Sequence, residues 1–168
     1  RRTRDRARLA LRRCTTDAVV TAVDAWLARS DATEHDHLEG LWVLQHHDVV
    51  DEARLRRVLT STDPRARAAA IRVLSAWFDR IPDAVPLLMQ AADDTAPRVR
   101  LEAVVAGSWL DRLEGAEIAL QASKHPTDRT LDYVLEQTFV ELSPHWIAAL
   151  RRGWDYAEAN PGLVDDLL

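Results

Sequence analysis

The sequence predicts an all-α fold, an α-solenoid of about five helix pairs that spans residues 1–168 as a single domain. Three observations predict it. Similar apolar stretches recur at a nearly constant spacing, residues that cap or start helices precede them, and only five glycines occur in a chain rich in Ala, Leu, Arg, Asp and Glu. No segment shows the alternating apolar and polar pattern of a strand.

Four stretches carry the repeat, namely "HLEGLWVL" (37–44), "RAAAIRVL" (67–74), "RLEAVVAG" (100–107) and "TLDYVLEQ" (130–137). Their second residues, Leu38, Ala68, Leu101 and Leu131, are 30, 33 and 30 residues apart. A proline lies shortly before each of the last three. A period near 30 residues indicates a supersecondary unit that stacks on copies of itself.

Each unit is predicted to be a pair of helices. Asp63 is the expected N-cap of the second unit, and Pro64 takes the first helical position, where its missing N–H costs nothing. Further along the chain, Pro82 is predicted just inside the next helix, and "DRLEG" (111–115) is predicted to be a turn. The last helix is expected to start at Ser143–Pro144 and to be closed by "NPG" (160–162). The opening pair is predicted at 3–13 and 15–29, with Thr15 or Thr16 as the cap of its second helix.

Helix pairs with Asp-Pro or Ala-Pro at the head and Arg two or three residues later are typical of HEAT-type units of the armadillo/HEAT superhelix class. The stretches "HLEGLWVLQHHDVVDEARLRRVL", "DPRARAAAIRVL", "PRVRLEAVVAGSW" and "KHPTDRTLDYVL" also resemble the HEAT-repeat segment of multidomain haem-binding proteins of planctomycetes and verrucomicrobia. The resemblance covers most of residues 15–150. In that family the segment lies between a β-propeller of the membrane-bound dehydrogenase type and a cytochrome c domain.

The resemblance implies that the chain is part of a longer redox protein that is periplasmic or otherwise exported, in which this segment is a spacer or docking module. It implies no cofactor here, because the family attaches haem through Cys-x-x-Cys-His and this chain has Cys14 alone. A single cysteine also excludes an internal disulfide or a thiolate metal cluster within one chain. No catalytic constellation is found, so the segment itself is predicted not to be an enzyme.

Charge is distributed unevenly along the chain. Residues 1–13 carry seven Arg and one Asp, whereas the whole chain has a net charge of −5. A basic strip of this kind can contact nucleic acid or anionic lipid, but an amphipathic first helix with solvated arginines is the preferred interpretation. Direct membrane insertion is not expected, since no apolar run approaches about 20 residues.

Arginines and tryptophans supply the candidate interaction surface. Arg residues near the heads of two repeats are predicted to line the concave face, where they either pair with acids of the neighbouring repeat or bind carboxylates and phosphates. Of the tryptophans, Trp42, Trp77 and Trp109 are expected in the core, whereas Trp146 and Trp154 are expected to be exposed and to pack on a following domain. The candidate surface is therefore Arg65, Arg67, Arg98, Arg100, Trp146 and Trp154, and the expected acidic partners are Asp63, Asp93, Asp94 and Asp128.

The histidines of "EHDHLEGLWVLQHH" (34–47) are interpreted as the polar ends of a helix rather than as a metal site. His35 and His37 are two apart and His46 and His47 are adjacent, so neither pair shares a helix face. The predicted function is a non-catalytic scaffold for flanking domains or another protein. The alternative is a nucleic-acid-binding or DNA-repair solenoid, which requires unpaired concave arginines and exposed Trp. A third possibility is a ligand bound between repeats through His46, His47 or His125.

Overall fold

The computed structural model describes residues 13–160 together with Arg6, Ala10, Leu11 and Gly162. Within these residues all regular structure is helical. The helix predicted over 3–13 lies largely outside them. The chain forms two compact units, residues 1–81 and 82–168, and each is described by itself. That the whole chain forms one domain stays a prediction.

Helices build the first unit from residue 16 to residue 81. The elements there are α1 (Thr16–Leu27), α2 (Glu34–His46), α3 (Glu52–Leu59), α4 (Pro64–Ala76) and the 3₁₀ turn Phe78–Arg80. Helix α2 packs against α1, α3 and α4, and α3 packs against α4. Contact between α2 and α4, which are not consecutive in the chain, is the stacking expected of a solenoid.

Stacking is more extensive in the second unit. The elements there are α5 (Ala84–Ala92), α6 (Pro97–Ser108), α7 (Leu113–Ser123), α8 (Arg129–Glu141), α9 (Ser143–Leu150) and α10 (Asp155–Ala159). Helix α6 packs against α5, α7 and α8, and α7 packs against α5, α8 and α9. Two rows of helices therefore alternate within this unit, as helix pairs that stack require. The prediction of an all-α fold of stacked helix pairs is confirmed.

The helix starts follow the predicted capping residues. Thr15 caps α1, and the Asp63 carboxylate accepts a hydrogen bond from the backbone N–H of Arg65 at the start of α4. At α2, Thr33 and Asp36 form a reciprocal capping box, which satisfies backbone N–H groups that a helix leaves without intrahelical partners. Pro64 lies in the first turn of its helix, as predicted.

Two helix boundaries differ from the predictions. Helix α5 begins at Ala84, so Pro82 precedes it rather than lying inside it. The helix predicted to run from Ser143 to "NPG" ends at Leu150, because Gly153 adopts a φ of 78°, a left-handed conformation that a helix cannot contain. The chain turns there and continues as the short helix α10.

Gly115 was predicted to lie in a turn, but it belongs to the first turn of α7. A Cβ atom at Gly115 would lie 2.4 Å from the carbonyl oxygen of Gly107 and 2.8 Å from a methyl carbon of Leu142. The backbones of α6 and α7 therefore approach each other as closely as they do only because this position has no side chain.

Gly115→Ala is expected to lower the free energy of unfolding by about 1–3 kcal/mol, since two backbones must separate to admit the methyl group. Gly162→Ala is the matched control, because a Cβ there meets nothing within 4 Å. Denaturant unfolding of both variants measures the difference. Equal free energies of unfolding would show that the α6–α7 approach tolerates a side chain.

Candidate interaction surfaces

Two of the predicted surface arginines pair with acids of their own repeat. A guanidinium N–H of Arg65 donates to the Asp63 carboxylate over 2.9 Å, and Arg98 pairs with Glu102 at 3.0 Å. Hydrogen bonds from Arg65 lower the pKa of Asp63 below its usual value. Arg65 and Arg98 are thus paired, but each described pair joins two residues of the same repeat. Neither pair joins one repeat to its neighbour.

Arg100 is buried and bridges two interhelical loops. Only 2% of its surface is exposed. Its Nη1 donates to the carbonyls of Asp94 and Thr95 at 2.8 and 3.2 Å, and its Nη2 donates to the carbonyl of Pro126 at 2.5 Å. The side chain therefore ties the loop before α6 to the loop before α8.

Arg67 repeats part of this arrangement 33 residues earlier. Its Nη1 donates to the carbonyls of Ser61 and Thr62, six and five residues before it, which is the spacing that Arg100 uses for Asp94 and Thr95. Both arginines fix the loop that leads into their own helix. Arg100 is buried and Arg67 is partly buried, so both brace the repeat and do not form an exposed row for a ligand.

The tryptophan predictions are wrong at three positions. Trp146 and Trp154, expected to be exposed, are buried. Trp146 Nε1 donates to the carbonyl of Phe139 and Trp154 Nε1 to the Glu117 carboxylate, each at 2.9 Å. Trp109, expected in the core, is 80% exposed, whereas Trp77 is buried as predicted.

These errors have a local cause. The turn through Gly153 folds Trp154 back over α7, and helical periodicity cannot anticipate a turn of that kind. Trp77 and Trp109 both follow the last residue of a helix, at the C-cap of α4 and α6. Side chains just beyond a helix end lose the register that predicts burial, so the two tryptophans could not be told apart from the sequence.

The histidines of 34–47 occupy the two ends of α2, as interpreted from the sequence. His35 lies 3.5 Å from Glu39, and the rings of His46 and His47 meet edge to face with centroids 6.0 Å apart. Among the described residues no group of three His, Cys, Asp or Glu side chains is placed to hold a metal ion. His125 lies 2.7 Å from Asp93, and this hydrogen bond and one from Gln121 lower the pKa of Asp93.

A cleft of about 330 Å³ lies between α1, α2 and α3 in the first unit. Ion pairs join its walls: Arg54 lies 2.5 Å from Asp24, and Arg57 lies 3.3 Å from Glu34. His37 lines the same cleft, and its Nδ1 is buried without a hydrogen-bond partner. Burial, and then the positive charge of Arg57, lower the pKa of His37.

The lowered pKa of His37 predicts that the first unit loses stability in acid. Its ordinary pKa is 6.5, and the folded protein holds it below that value. The unfolded chain therefore takes up the proton first as the pH falls. The stability that the neutral imidazole contributes is present above pH 6.5 and is lost as the pH falls through the lower, folded pKa.

In His37→Gln, the free energy of unfolding is expected to decrease less as the pH falls below 6.5, because glutamine does not titrate. Thermal or urea unfolding at a series of pH values measures this. His35→Gln, which removes an exposed imidazole from the same helix, is the control. An unchanged pH dependence in His37→Gln would contradict the assignment.

A second cleft of about 330 Å³ lies where α10 folds back in the second unit. Trp154 and Tyr156 stack with centroids 6.0 Å apart, and the Tyr156 hydroxyl donates to the Gln121 side-chain oxygen at 3.1 Å. The ammonium of Lys124 lies 5.3 Å from the centre of the Tyr156 ring. Burial raises the pKa of Tyr156. These contacts attach α10 to α7, so the cleft is mainly a packing feature.

Large apolar side chains are also exposed at positions that the sequence did not single out as exposed. Those found among the described residues all belong to the second unit, and they are Trp109, Tyr133, Val140 and Ile147. None of the helices in the described part of the chain has both the length and the apolar character to cross a bilayer.

Comparison with known proteins gives one match. A family model described as HEAT repeats matches residues 37–138, more than half of the chain, from α2 to within α8. No curated protein and no solved structure matches.

Proposed function

The chain belongs to the HEAT-repeat family, and from this membership we propose that it is a non-catalytic scaffold that mediates protein–protein or interdomain contacts. Arrays of such repeats stack into an elongated fold and expose extended surfaces on which partners bind. The scaffold role needs an exposed surface with side chains suited to burial by another protein.

The observation that carries the proposal is the exposure of Trp109. A tryptophan that is 80% exposed at the end of α6 leaves a large apolar surface in water. Tryptophan is also among the residues that most often dominate the binding energy of an interface. By contrast, Arg67 and Arg100 of the predicted surface are engaged with loop carbonyls, and Trp146 and Trp154 are packed inside the unit.

The finer proposal is that the scaffold holds the flanking domains of a larger exported, periplasmic redox protein. It is supported by the resemblance of residues 15–150 to the segment between a dehydrogenase-type β-propeller and a cytochrome c domain. In that arrangement haem belongs to the flanking domain, and this segment binds no cofactor.

Nucleic-acid binding gains no comparable support. Duplex binding depends on arginine and lysine side chains that neutralise phosphates. Arg65, Arg67, Arg98 and Arg100 instead contact groups of the chain itself, and the chain carries a net charge of −5.

Photo-cross-linking in the intact parent protein tests the proposal. A photoreactive phenylalanine analogue placed at Trp109 is expected to cross-link to one defined polypeptide surface, which peptide mass spectrometry identifies. The same analogue at the exposed Asp79 is the control. Equal, diffuse cross-linking at both positions would contradict a docking role for the Trp109 surface, and selective cross-links to nucleic acid would favour the alternative function.

A further inference from the structure

Helix α8 exposes one continuous face, which we call the α8 face. Its members recur every three or four residues and are Arg129, Asp132, Tyr133, Glu136, Gln137 and Val140, all exposed. Tyr133 is 62% and Val140 66% exposed, so the face combines two large apolar side chains with charges. Asp132 and Glu136 form no ion pair with the described residues.

The repeat register shows what normally covers such a face. When Leu101 of α6 is aligned with Leu131 of α8, Tyr133 and Glu136 correspond to Ala103 and Ala106. Both alanines are buried, and α6 packs against α7 and α8. The face of α8 is thus in the position where stacking places another helix, but it carries large polar and aromatic side chains instead of alanines.

Trp109 lies at the C-terminal end of α6, the helix that packs against α8. Arg100 links the loop before α6 to the loop before α8, and His145, at the start of α9, lies 2.9 Å from Asp111, in the loop after α6. Helices α6 and α8 therefore run in the same direction, and their C-terminal ends lie together. Trp109 and Val140 are both at that end.

The charges of the α8 face select its occupant. Asp132 and Glu136 are four residues apart and are therefore neighbours along the helix, and Tyr133 is exposed beside them. The α8 face also carries Arg129, so its two carboxylates leave it with one net negative charge. Arginine suits this arrangement best, because its planar guanidinium pairs with carboxylates and also stacks on aromatic faces. The expected occupant is therefore an arginine-rich segment.

The chain itself contains such a segment. Residues 1–13 carry seven of the chain's arginines and a single aspartate. Within this segment Leu11 packs against the apolar cluster of α1 and α2, while Arg6 and Arg13 are exposed. Arg6 and Arg13 therefore face solvent, whereas Leu11 packs against a cluster within its own molecule.

We propose that the α8 face binds the arginine-rich residues 1–13 of a second copy of this chain. The two surfaces differ, so the contact is heterologous and joins molecules head to tail. Exposed charges carry much of the attraction, and salt therefore weakens it. This self-association goes beyond the proposed scaffold role and does not depend on it.

Sedimentation velocity of the intact chain tests the proposal. Association that grows with protein concentration is expected at about 20 mM salt, and it is expected to be lost at about 300 mM salt, where charges are screened within a few ångströms. Glu136→Lys is expected to weaken association at least about tenfold, because it places a like charge against the arginines. Asp79→Lys is the matched control, since it makes the same charge change at an exposed site in the other unit and is expected to leave association unchanged.

A synthetic peptide of residues 1–13 provides an independent arm. The peptide is expected to compete with self-association of the unmutated chain. It is also expected to bind the Glu136→Lys variant more weakly than the unmutated chain. A chain that stays monomeric at low salt, or equal association in Glu136→Lys and Asp79→Lys, would overturn the proposal. Peptide binding without self-association would also overturn it, and would assign the α8 face to an arginine-rich helix of another protein. Circular dichroism confirms that each variant is folded.

Discussion

Replacing Trp77 with alanine is expected to lower the free energy of unfolding by about 3–5 kcal/mol. Trp77 is among the largest fully buried side chains of the described residues, with 1% of its surface exposed. Truncation to alanine removes the buried indole and leaves a cavity that the surrounding helices fill only in part. A typical domain is stable by about 5–15 kcal/mol, so the loss is a large share of the total.

Trp109→Ala is the matched control for this prediction. It removes the same side chain from the C-cap of α6, but Trp109 is 80% exposed, and the expected change in stability is within about 0.5 kcal/mol. Urea unfolding of the two variants, followed by circular dichroism, measures both. Similar losses in the two would contradict the contrast between a core residue and a surface residue.

Arg100→Met is expected to lower the free energy of unfolding by about 2–4 kcal/mol. Methionine nearly fills the space of the aliphatic stem but leaves the carbonyls of Asp94, Thr95 and Pro126 without their donors. A hydrogen bond from a charged group contributes about 1.5–3 kcal/mol, and water at the partly exposed loops replaces part of what is lost. Arg100→Lys should recover only part of the loss, because an ammonium cannot reproduce the two-armed geometry that bridges the loops.

Arg65→Met is the control for the arginine series. Arg65 is exposed and pairs with Asp63 at the surface, where ion pairs contribute about 0–1 kcal/mol. The same denaturant unfolding experiment compares the three variants. If Arg65→Met proved as destabilising as Arg100→Met, the assignment of Arg100 as an interior brace would fail.

The repeat architecture could be predicted because its signals are local. Asp63 and Pro64 mark a helix start in the sequence and form one in the structure, and the spacing of Leu38, Ala68, Leu101 and Leu131 places four successive first helices correctly. Capping and periodicity act over a few residues, so a single sequence contains them in full.

The surfaces could not be predicted because burial depends on contacts between distant residues. The sequence presents Arg65 and Arg100 as equivalent members of one row. In the structure Arg65 pairs at the surface, whereas Arg100 braces two loops, one of them through Pro126, 26 residues further along the chain. Trp154 was misplaced because a single left-handed glycine, Gly153, returns the chain onto α7. Gly115 was assigned to a turn because glycine at a close helix contact has the same local signature as glycine in a loop.

If this chain is a segment of a longer protein, as we propose, amide hydrogen exchange of the segment alone and within that protein tests the scaffold role most directly. The docking account predicts that exchange slows in the parent at the end of α6 around Trp109, along one helix row, while α2 and α4 exchange alike in both. Identical exchange in the two contexts would contradict it, because the segment would then be a free-standing arm that holds no flanking domain.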